Sequence, residues 1–467
     1  MSSYLPVPLG SRFCTTLQAF AQGDGRFDEA LPESQIQQVA DDLDVHFGNG
    51  PGDIFTPALT LWTFLSQALS GSKTCVAAVT RAIVLRLVLG LTPCSAYTGA
   101  YCKARRKLPE PFLQRLTYTV GEAIEDRAPD HWRWHGRRVL LVDGFTSTMA
   151  DTPENQRVYP QPQSQKPGLG FPMIRAVVLL AFATACLAGA AFGPQKGKQT
   201  GETALFRQLL DRLRRGDVVV ADRYYCSYWM IALLQQRGVA VAFRLHQLRR
   251  YDFRRGRRLG SDDHIVEWTK PKRPTWMAAD LYASLPDTLT VRELRFPVNQ
   301  RGYRSKEIVA AATLCDAEQY SKKELADLYH QRWHAELDIR AIKQTLKMEH
   351  LSCKTPDMVR RELWVHLLGC NLVRKVMAEA AWVKGLCPRQ LSFAGALQTV
   401  EQFRWLLLLT SGGSRLQVVL VLLLCVATHE VGHRPGRVEP RAVKRRPKPY
   451  PKLLKPRAEA REELLRN

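Results

Sequence analysis

The chain has 467 residues, of which 45% are hydrophobic, and it carries a formal net charge of +23 at pH 7. This length is too great for one simple core, so about two to four domains are expected, and the excess of Lys and Arg favours a polyanionic partner, either nucleic acid or an acidic membrane surface. The 11 cysteines form no Cys-x-x-Cys pair, which argues against a disulfide scaffold or a zinc ribbon and fits a reducing cytoplasm.

Residues 1–130 are predicted to form a small all-helical domain. The sequence "TPALTLWTFLSQAL" begins with a capping Thr56 and has Pro57 at the first helical position, and a later helix opens near Pro109. Between these helices lies a basic cluster that consists of Lys103, Arg105, Arg106 and Lys107. Helical modules with a cationic surface often bind duplex DNA, but a solvated basic loop explains the cluster equally well.

Residues 135–246 are predicted to form the first part of an α/β core. The apolar run "RRVLLVDGF" leads into Asp143, and "VVVADRYY" is a second buried strand that also ends in a carboxylate, Asp222. Together with their neighbours, these elements follow the order βββαβαβ. This order favours a mixed sheet flanked by helices.

The uncharged run 176–192 offers an alternative, because its 17 residues approach the length of a membrane span. The run is borderline for a span, and it contains Thr184 and Gly189. We interpret it as two adjacent buried strands with a turn near the middle. A protein without a membrane segment is therefore expected, and the N-terminus also lacks the basic start and apolar core of a signal peptide.

The second half of the chain is predicted to contain an insertion, the rest of the core and a tail. Residues 247–305 read as a basic, β-rich insertion in which Arg and aromatic residues alternate. Residues 306–428 complete the core, with a long helix that opens with a capping box at Ser321 and Glu324, followed by C-terminal helices. Residues 429–467 are basic and rich in Pro, a composition typical of disordered tails.

Three acidic residues stand out by their positions. Asp143 and Asp222 each end an apolar strand, where open α/β sheets usually place their ligands. Glu336 lies in "YHQRWHAELDIRAIKQ", where polar residues recur at helical spacing and share an arc of about 60°. The residues of this stripe are Tyr329, Arg332, Glu336 and Lys343.

Three carboxylates without a His or Cys cluster suit a hard cation such as Mg²⁺ or Mn²⁺. Two such ions about 3.5–4 Å apart can activate a water or a 3′-hydroxyl and stabilise the leaving oxygen of a phosphodiester. For a single Asp at a strand end, turn formation is the simpler explanation, and a helical stripe of charges is often a solvated face with ion pairs. The three acids together, in a chain of net charge +23, favour the catalytic explanation.

Other acidic residues are predicted to serve capping or solvation, because they lie in polar, turn-like or helical settings. They are Asp151, Asp211, Asp217, Asp262 and Asp263. Asp338 is only two residues from Glu336, so it is expected to point away from that helical face. His330 and His334 have the i, i+4 spacing of a zinc pair, but no third ligand follows, so we reject a zinc site.

These motifs resemble those of a known family. The stretch "YHQRWHAELDIRAIK" resembles the Tyr-(2)-Arg-(3)-Glu-(6)-Lys signature of the insertion-sequence-four family of DDE transposases. "LLVDGF" resembles the first-aspartate region of that family, and "VVVADRYY" resembles the second, with an Asp-Arg pair at Asp222 and Arg223. The resemblance covers roughly residues 135–380, in the family's order. It implies an RNase H-like catalytic core with a β-rich insertion before the Glu-bearing helix.

The resemblance also implies roles for individual residues. Asp143, Asp222 and Glu336 would be catalytic and would bind two Mg²⁺ ions, with Mn²⁺ as an alternative. Contacts with transposon-end DNA would come from Tyr329, Arg332, Lys343 and Arg223, and Lys103, Arg105 and Arg106 of the basic cluster are further DNA-binding candidates. In relatives an aromatic residue of the insertion stacks on a flipped base. Trp268 and Trp276 are candidates for this role, although each is more often a core residue.

The function implied by the resemblance is that of a transposase. Such an enzyme cleaves double-stranded DNA at terminal inverted repeats and transfers the ends into target DNA. A homodimer on paired ends is expected, as is a bacterial protein that acts on the nucleoid in the cytoplasm. The sequence leaves two alternatives open: an RNase H-like nuclease without strand transfer, and a DNA-binding regulator that has lost catalysis.

Overall fold

The computed structural model describes residues 31–50, 52–298, 306–410, 412–432 and 452–466 of the chain. In these ranges one sheet of ten strands packs against helices. The strands are β1 Val139–Met149, β2 Met173–Ala181, β3 Leu187–Pro194, β4 Val218–Ala221, β5 Ala240–Arg244, β6 Arg257–Gly260, β7 Asp263–Thr269, β8 Thr288–Pro297, β9 Glu307–Ala312 and β10 His350–Leu351.

The α-helices of the described ranges lie before, between and after these strands. They are α1 Glu33–Asp42, α2 Pro57–Leu69, α3 Cys75–Val88, α4 Gly99–Lys107, α5 Glu110–Asp126, α6 Pro153–Val158, α7 Glu202–Arg207, α8 Tyr228–Gln236, α9 Ala279–Ser284, α10 Lys322–His330, α11 Trp333–Arg340, α12 Pro356–Lys384, α13 Phe393–Leu409, α14 Gly412–Thr428 and α15 Arg457–Arg466.

The strand order is β3-β2-β1-β4-β5-β9-β8-β7-β6, and β10 lies beside the end of β1. The first three strands of the chain form an antiparallel meander, and β4 and β5 then add in parallel on the other side of β1. This mixed sheet flanked by helices confirms the predicted α/β class with an RNase H-like core. Strand β1, which carries Asp143, is the middle one of the five strands β3-β2-β1-β4-β5.

The uncharged run 176–192 forms two strands, as predicted. Strands β2 and β3 pair in antiparallel fashion, and the turn between them includes Ala185 with a positive φ of 59°. Almost every residue of both strands is buried, so the lack of charge reflects burial on both faces of a sheet. No helix within the described ranges is long and apolar enough to cross a membrane.

The predicted insertion is β-rich, and its strands extend the core sheet. Strands β6, β7 and β8 form an antiparallel ribbon, β8 pairs with β9, and β9 pairs with β5. The ribbon contains a buried ion pair: Arg292 donates two hydrogen bonds to Asp263, at 2.8 and 2.6 Å. Asp263 was expected to be a solvated or capping residue, and this is wrong because its partner Arg292 lies on the neighbouring strand β8, two residues before Leu294, which pairs with Asp263.

The N-terminal helices pack directly on the core. Helix α5 contacts both β3 and α12, and one continuous set of buried apolar residues runs from Leu31 to Ala427. The basic cluster lies in helix α4, not in a loop. A domain boundary near residue 130 stays a prediction, as do the other predicted boundaries.

The long helix predicted from Ser321 onward is divided into pieces. Its capping box at Ser321 and Glu324 is present. Helix α10 then ends at His330, α11 starts at Trp333, and residues Ala341–Thr345 form a π-helical turn. Both interruptions change the angle between successive side chains, so the 3.6-residue stripe does not continue unchanged to its last member.

The predicted tail is only partly covered by the structure. Residues 433–451 lie outside the described ranges. Residues Arg457–Arg466 form helix α15, so the expectation of disorder is wrong for this part of the tail. Its sequence, RAEAREELLR, consists of strong helix formers, which outweigh the high charge.

Candidate active site

The register of the sheet brings two of the predicted catalytic acids to one face. Asp143 lies within β1, and Asp222 directly follows β4. The two strands are parallel neighbours, and their ladder pairs Val142 with Ala221, the residues just before the two aspartates. Side chains at equivalent positions of paired strands point to the same face, so the two carboxylates lie side by side.

The third acid comes from helix α11, which packs against β1. Glu336 lies in the first turn of this helix. Arg332, just before the helix, places its Nη2 atom 2.7 Å from Oε1 of Glu336 and its Nη1 atom 3.8 Å from Oδ2 of Asp143. The guanidinium therefore joins the helix carboxylate to the strand carboxylate.

The electrostatics of Asp143 reflect this crowding. Burial raises the pKa of Asp143 to about 6. The backbone N–H of Gly144, which donates to Oδ1 at 2.8 Å, and the charge of Arg332 hold the pKa down, whereas the negative charges of Asp222 and Glu336 raise it. Asp222 and Glu336 are therefore both close enough to affect the ionisation of Asp143.

Arg332 places a positive charge beside two of the three acids. Among the residues that the structure describes, no three His, Cys, Asp or Glu side chains converge closely enough to hold a metal ion. The guanidinium lies between Asp143 and Glu336, which keeps these two carboxylates apart. The set of donors nevertheless fits a hard divalent cation, because Asp143, Asp222 and Glu336 offer only carboxylate oxygens.

The other members of the predicted stripe have different surroundings. Tyr329 is buried, with 4% of its surface exposed, and burial raises its pKa to about 12. Its hydroxyl lies beside Arg332, so in this structure it contacts the guanidinium that bridges the acids. Lys343 is half-buried in the π-helical turn. Arg223, beside Asp222, donates to Oε1 of Gln247 at 3.1 Å.

The two tryptophans predicted as base-stacking candidates are engaged within the protein. Trp268 is buried, its indole N–H donates to Glu293 at 2.9 Å, and Arg249 lies 3.6 Å from its ring centroid. Trp276 is half-buried, and the guanidinium of Arg207 lies 3.8 Å from its ring centroid. Trp268 is thus a core residue of the insertion, and its candidacy for base stacking is corrected.

The residues of the basic cluster in helix α4 differ in their exposure. Lys103 and Arg106 are exposed, as expected for a DNA-binding surface. Arg105 instead donates to Oε1 of Gln67 at 2.8 Å, and its guanidinium lies 4.9 Å from the ring centroid of Phe64. Arg105 therefore packs the N-terminal helices together, which corrects its assignment to the DNA-binding surface.

Asp338 points away from Glu336, as predicted, but into a buried network. It accepts a hydrogen bond from Nη2 of Arg374 at 2.7 Å, and its other oxygen lies 3.0 Å from Nη1 of Arg389. Only 6% of its side chain is exposed. Asp338 is therefore a structural acid that ties α11 to α12.

Three residues near the acids were missed from the sequence. Arg244 continues the row of Asp143 and Asp222 on the next strand, because the ladder of β4 and β5 pairs the residues just before Asp222 and Arg244. Glu202 and Tyr225 form a hydrogen-bonded pair next to the aspartates. The sequence offers a signal only for Tyr225, which lies three residues after Asp222; the other two are revealed by strand register and helix packing.

Comparison with known proteins identifies the family of the chain. The family model for the transposase DDE domain matches residues 134–372. The chain is 30% identical over 358 residues to transposase InsG for insertion sequence element IS4 of Escherichia coli (strain K12), and the alignment covers 76% of this chain and 78% of that protein.

Among solved structures, the cryo-EM structure of the piggyBac transposase synaptic complex with hairpin DNA matches with a TM-score of 0.41 and 9% sequence identity, covering 91% of this chain and 87% of that chain. The identity to InsG and the family match over half of the sequence settle the classification. The chain belongs to the insertion-sequence-four family of DDE transposases, enzymes that cleave DNA and transfer its strands and that generally use divalent metal ions.

Proposed function

We propose that this transposase cleaves double-stranded DNA at the terminal inverted repeats of its own element and joins the ends to target DNA, with Asp143, Asp222 and Glu336 as its catalytic acids. The observation that carries the proposal is the position of Arg332, whose guanidinium bridges Asp143 and Glu336. A cation between these carboxylates offsets the cost of gathering negative charge in a half-buried site. We propose that these carboxylates bind two Mg²⁺ ions, with Mn²⁺ as an alternative.

A bound pair of these ions would activate the attacking water or 3′-hydroxyl and stabilise the leaving oxygen of the phosphodiester. The chain's own residues would do the rest. The planar fork of Arg332 fits a phosphate as well as a carboxylate, so it would hold the scissile strand in place. Lys343 and Arg223 would contact the phosphates on either side of the scissile one, Lys343 as a point charge and Arg223 through its planar guanidinium. The buried Tyr329 would fix the direction of the Arg332 side chain.

The DNA partner follows from the charge of the whole chain. With a net charge of +23, the protein would gain sequence-independent affinity for DNA through the release of counterions. Lys103 and Arg106, which are exposed on helix α4, would contribute to this surface. Two copies of the chain on paired element ends would complete the assembly, which we propose from the family resemblance alone.

The experiment that tests the catalytic assignment uses variants that keep shape and remove charge. Asp143→Asn, Asp222→Asn and Glu336→Gln should each slow cleavage of an end-containing duplex in Mg²⁺ by about 10³-fold or more, since each removes a metal ligand. Binding of the same duplex should change by less than about threefold, because these acids do not attract phosphates. Exposed Asp151 gives the matched control, Asp151→Asn, which should cleave normally.

Cleavage by any one of the three variants at the wild-type rate would remove that residue from the assignment. A parallel assay with pre-cut ends and a target plasmid separates strand transfer from hydrolysis. The wild-type protein should join these ends to the plasmid. Hydrolysis without joining would favour the nuclease alternative.

A further inference from the structure

The backbone next to Asp143 is in unusually close contact with a fourth acid. Glu202, the first residue of α7, lies so near Gly144 that a Cβ atom at position 144 would be 2.5 Å from the Glu202 carboxyl carbon and 2.8 Å from Oε1. Successive residues of a strand face opposite sides, so Glu202 lies behind the strand that presents Asp143. A side chain at position 144 would therefore force this carboxylate to move.

A buried tyrosine holds Glu202 in that place. The hydroxyl of Tyr225 donates to Oε2 of Glu202 at 3.3 Å, and the tyrosine side chain is fully buried. Its ring meets the ring of Phe206 edge to face, with centroids 5.6 Å apart, which fixes the direction of the hydroxyl. The hydrogen bond therefore joins the start of α7 to the turn that follows β4.

That turn is the one that carries Asp222. The backbone N–H of Tyr225 donates to the carbonyl of Asp222 at 3.3 Å, and the N–H of Tyr224 donates to Oδ1 of Asp222 at 2.7 Å. Tyr225 is thus held to Asp222 at one end and to Glu202 at the other. Since Glu202 lies against Gly144, a continuous chain of contacts runs from Asp222 to the residue next to Asp143.

We propose that Glu202 and Tyr225 are a pair of positioning residues that set the distance between Asp143 and Asp222 and thereby the affinity of the site for its divalent cation. The inference rests on the proposed function, because it takes the two aspartates as ligands. The pair acts through geometry: Tyr225 fixes the loop of Asp222, and Glu202 supports strand β1 behind Asp143. Outer contacts of this kind commonly change metal affinity by about 10–100-fold.

The test measures the binding of Mn²⁺ ions alone by calorimetry, alongside cleavage in Mg²⁺, DNA affinity and thermal unfolding. Tyr225→Phe removes the donor, and Glu202→Ala removes the acceptor. Both should weaken Mn²⁺ binding and slow cleavage by about 10-fold or more, with DNA affinity within about threefold of wild type. Gly144→Ala should act in the same direction, because its methyl group would push the Glu202 carboxylate away.

Two variants control for charge and for simple loss of a hydroxyl. Glu202→Gln keeps an oxygen that accepts from Tyr225, so it should bind Mn²⁺ and cleave DNA within about threefold of wild type. Tyr228→Phe removes a hydroxyl that donates to the carbonyl of Pro286, away from the acids, and should leave Mn²⁺ binding unchanged. Thermal unfolding shows which variants are fully folded under the conditions of the binding assay.

Two results would overturn the inference. Wild-type Mn²⁺ binding by both Tyr225→Phe and Glu202→Ala would show that the pair does not position the aspartates. Loss in Glu202→Gln equal to the loss in Glu202→Ala would show that the charge of residue 202 acts directly, not its hydrogen bond. Where one of these results is obtained, Asp143→Asn shows whether the proposed function fails too. Normal cleavage by Asp143→Asn would contradict the proposed function as well, whereas an inactive Asp143→Asn would leave the proposed function intact and contradict only this inference.

Discussion

Arg332 and Glu336 form a 2.7 Å ion pair across the start of helix α11, and the same guanidinium lies 3.8 Å from Asp143 on strand β1. An isolated pair of this i, i+4 kind on a helix surface contributes only about 0.2–0.5 kcal/mol. Here only 20% of the Arg332 side chain is exposed, and its second contact, with Asp143, links the helix to a strand that is far away in the sequence. The pair therefore defines the geometry of the site more than it stabilises the helix.

Arg332→Lys is expected to reduce cleavage far more than DNA affinity. Lysine keeps the charge but cannot reach two carboxylates, or one phosphate in bidentate fashion, with a planar fork. We expect a cleavage rate lower by about 10–100-fold in a single-turnover assay at saturating DNA, where a misplaced group is costly. Arg340→Lys, exposed on the same helix, is the matched control and should cleave normally. Equal rates for the two variants would argue that the fork of Arg332 has no catalytic role.

Asp338→Asn is expected to reduce stability without acting on the chemistry directly. The change leaves the buried guanidinium groups of Arg374 and Arg389 without their shared negative charge. Breaking a buried ion pair in this way costs about 3–5 kcal/mol, which thermal or urea unfolding would reveal. Asp327→Asn, a substitution on exposed helix surface, should cost less than about 0.5 kcal/mol. A wild-type unfolding curve for Asp338→Asn would show that the network contributes little.

His366 is expected to make the fold sensitive to acid. Its ring is fully buried in α12, and burial, together with the positive charge of Lys73, lowers its pKa to about 3. Below pH 6.5 the unfolded chain binds a proton here that the folded chain does not, so this contribution to stability is complete above pH 6.5 and is lost as the pH falls toward 3. His366→Gln should flatten the fall by about 1 kcal/mol per pH unit in that window.

The control for this prediction is His131→Gln, which alters an exposed histidine. It should leave the dependence of unfolding on pH as in the wild-type protein. The measurement is urea unfolding at several pH values between 4 and 7. An unchanged slope for His366→Gln would mean that His366 takes up its proton in the folded state.

Substitutions of the exposed residues of helix α4 are expected to affect DNA binding, whereas a substitution of its packed residue Arg105 is expected to affect stability. Lys103→Ala and Arg106→Ala should each lower the slope of log affinity against log salt by about one unit if their side chains contact phosphates. Arg105→Ala should instead lower the unfolding free energy, because it removes the hydrogen bond to Gln67 and the contact with Phe64. A changed salt slope for Arg105→Ala alone, with normal stability, would reverse this assignment.

The strands that carry the aspartates could be predicted from sequence because each is a short apolar run that leads into a charge. Their relative positions could not. The pairing of strands depends on contacts throughout the sheet, which a single strand sequence does not reveal. Only the register of the paired strands shows that Asp143, Asp222 and Arg244 lie in one row. The contact of Glu202 with Gly144 could not be predicted for the same reason, because it depends on how α7 packs on the sheet.

The helix with the stripe shows where periodicity stops being informative. The spacing of the residues from Tyr329 to Lys343 fits one uninterrupted helix. In the structure, however, the α-helix is interrupted after His330, and a π-helical turn forms at Ala341–Thr345. Neither Gly nor Pro marks these positions, so no local signal announces them. The break brings Arg332 to the start of α11, where its guanidinium can bridge two elements.

A change of metal specificity tests the central claim most directly, because it asks whether Asp222 touches a catalytic ion. Asp222→Cys replaces a hard oxygen ligand with a softer sulfur, which Mn²⁺ accepts better than Mg²⁺ does. Cleavage of an end-containing duplex should be lost in Mg²⁺ and partly restored in Mn²⁺, whereas Asp222→Asn should be inactive with Mg²⁺. Cleavage in Mg²⁺ at the wild-type rate by either variant would contradict the account.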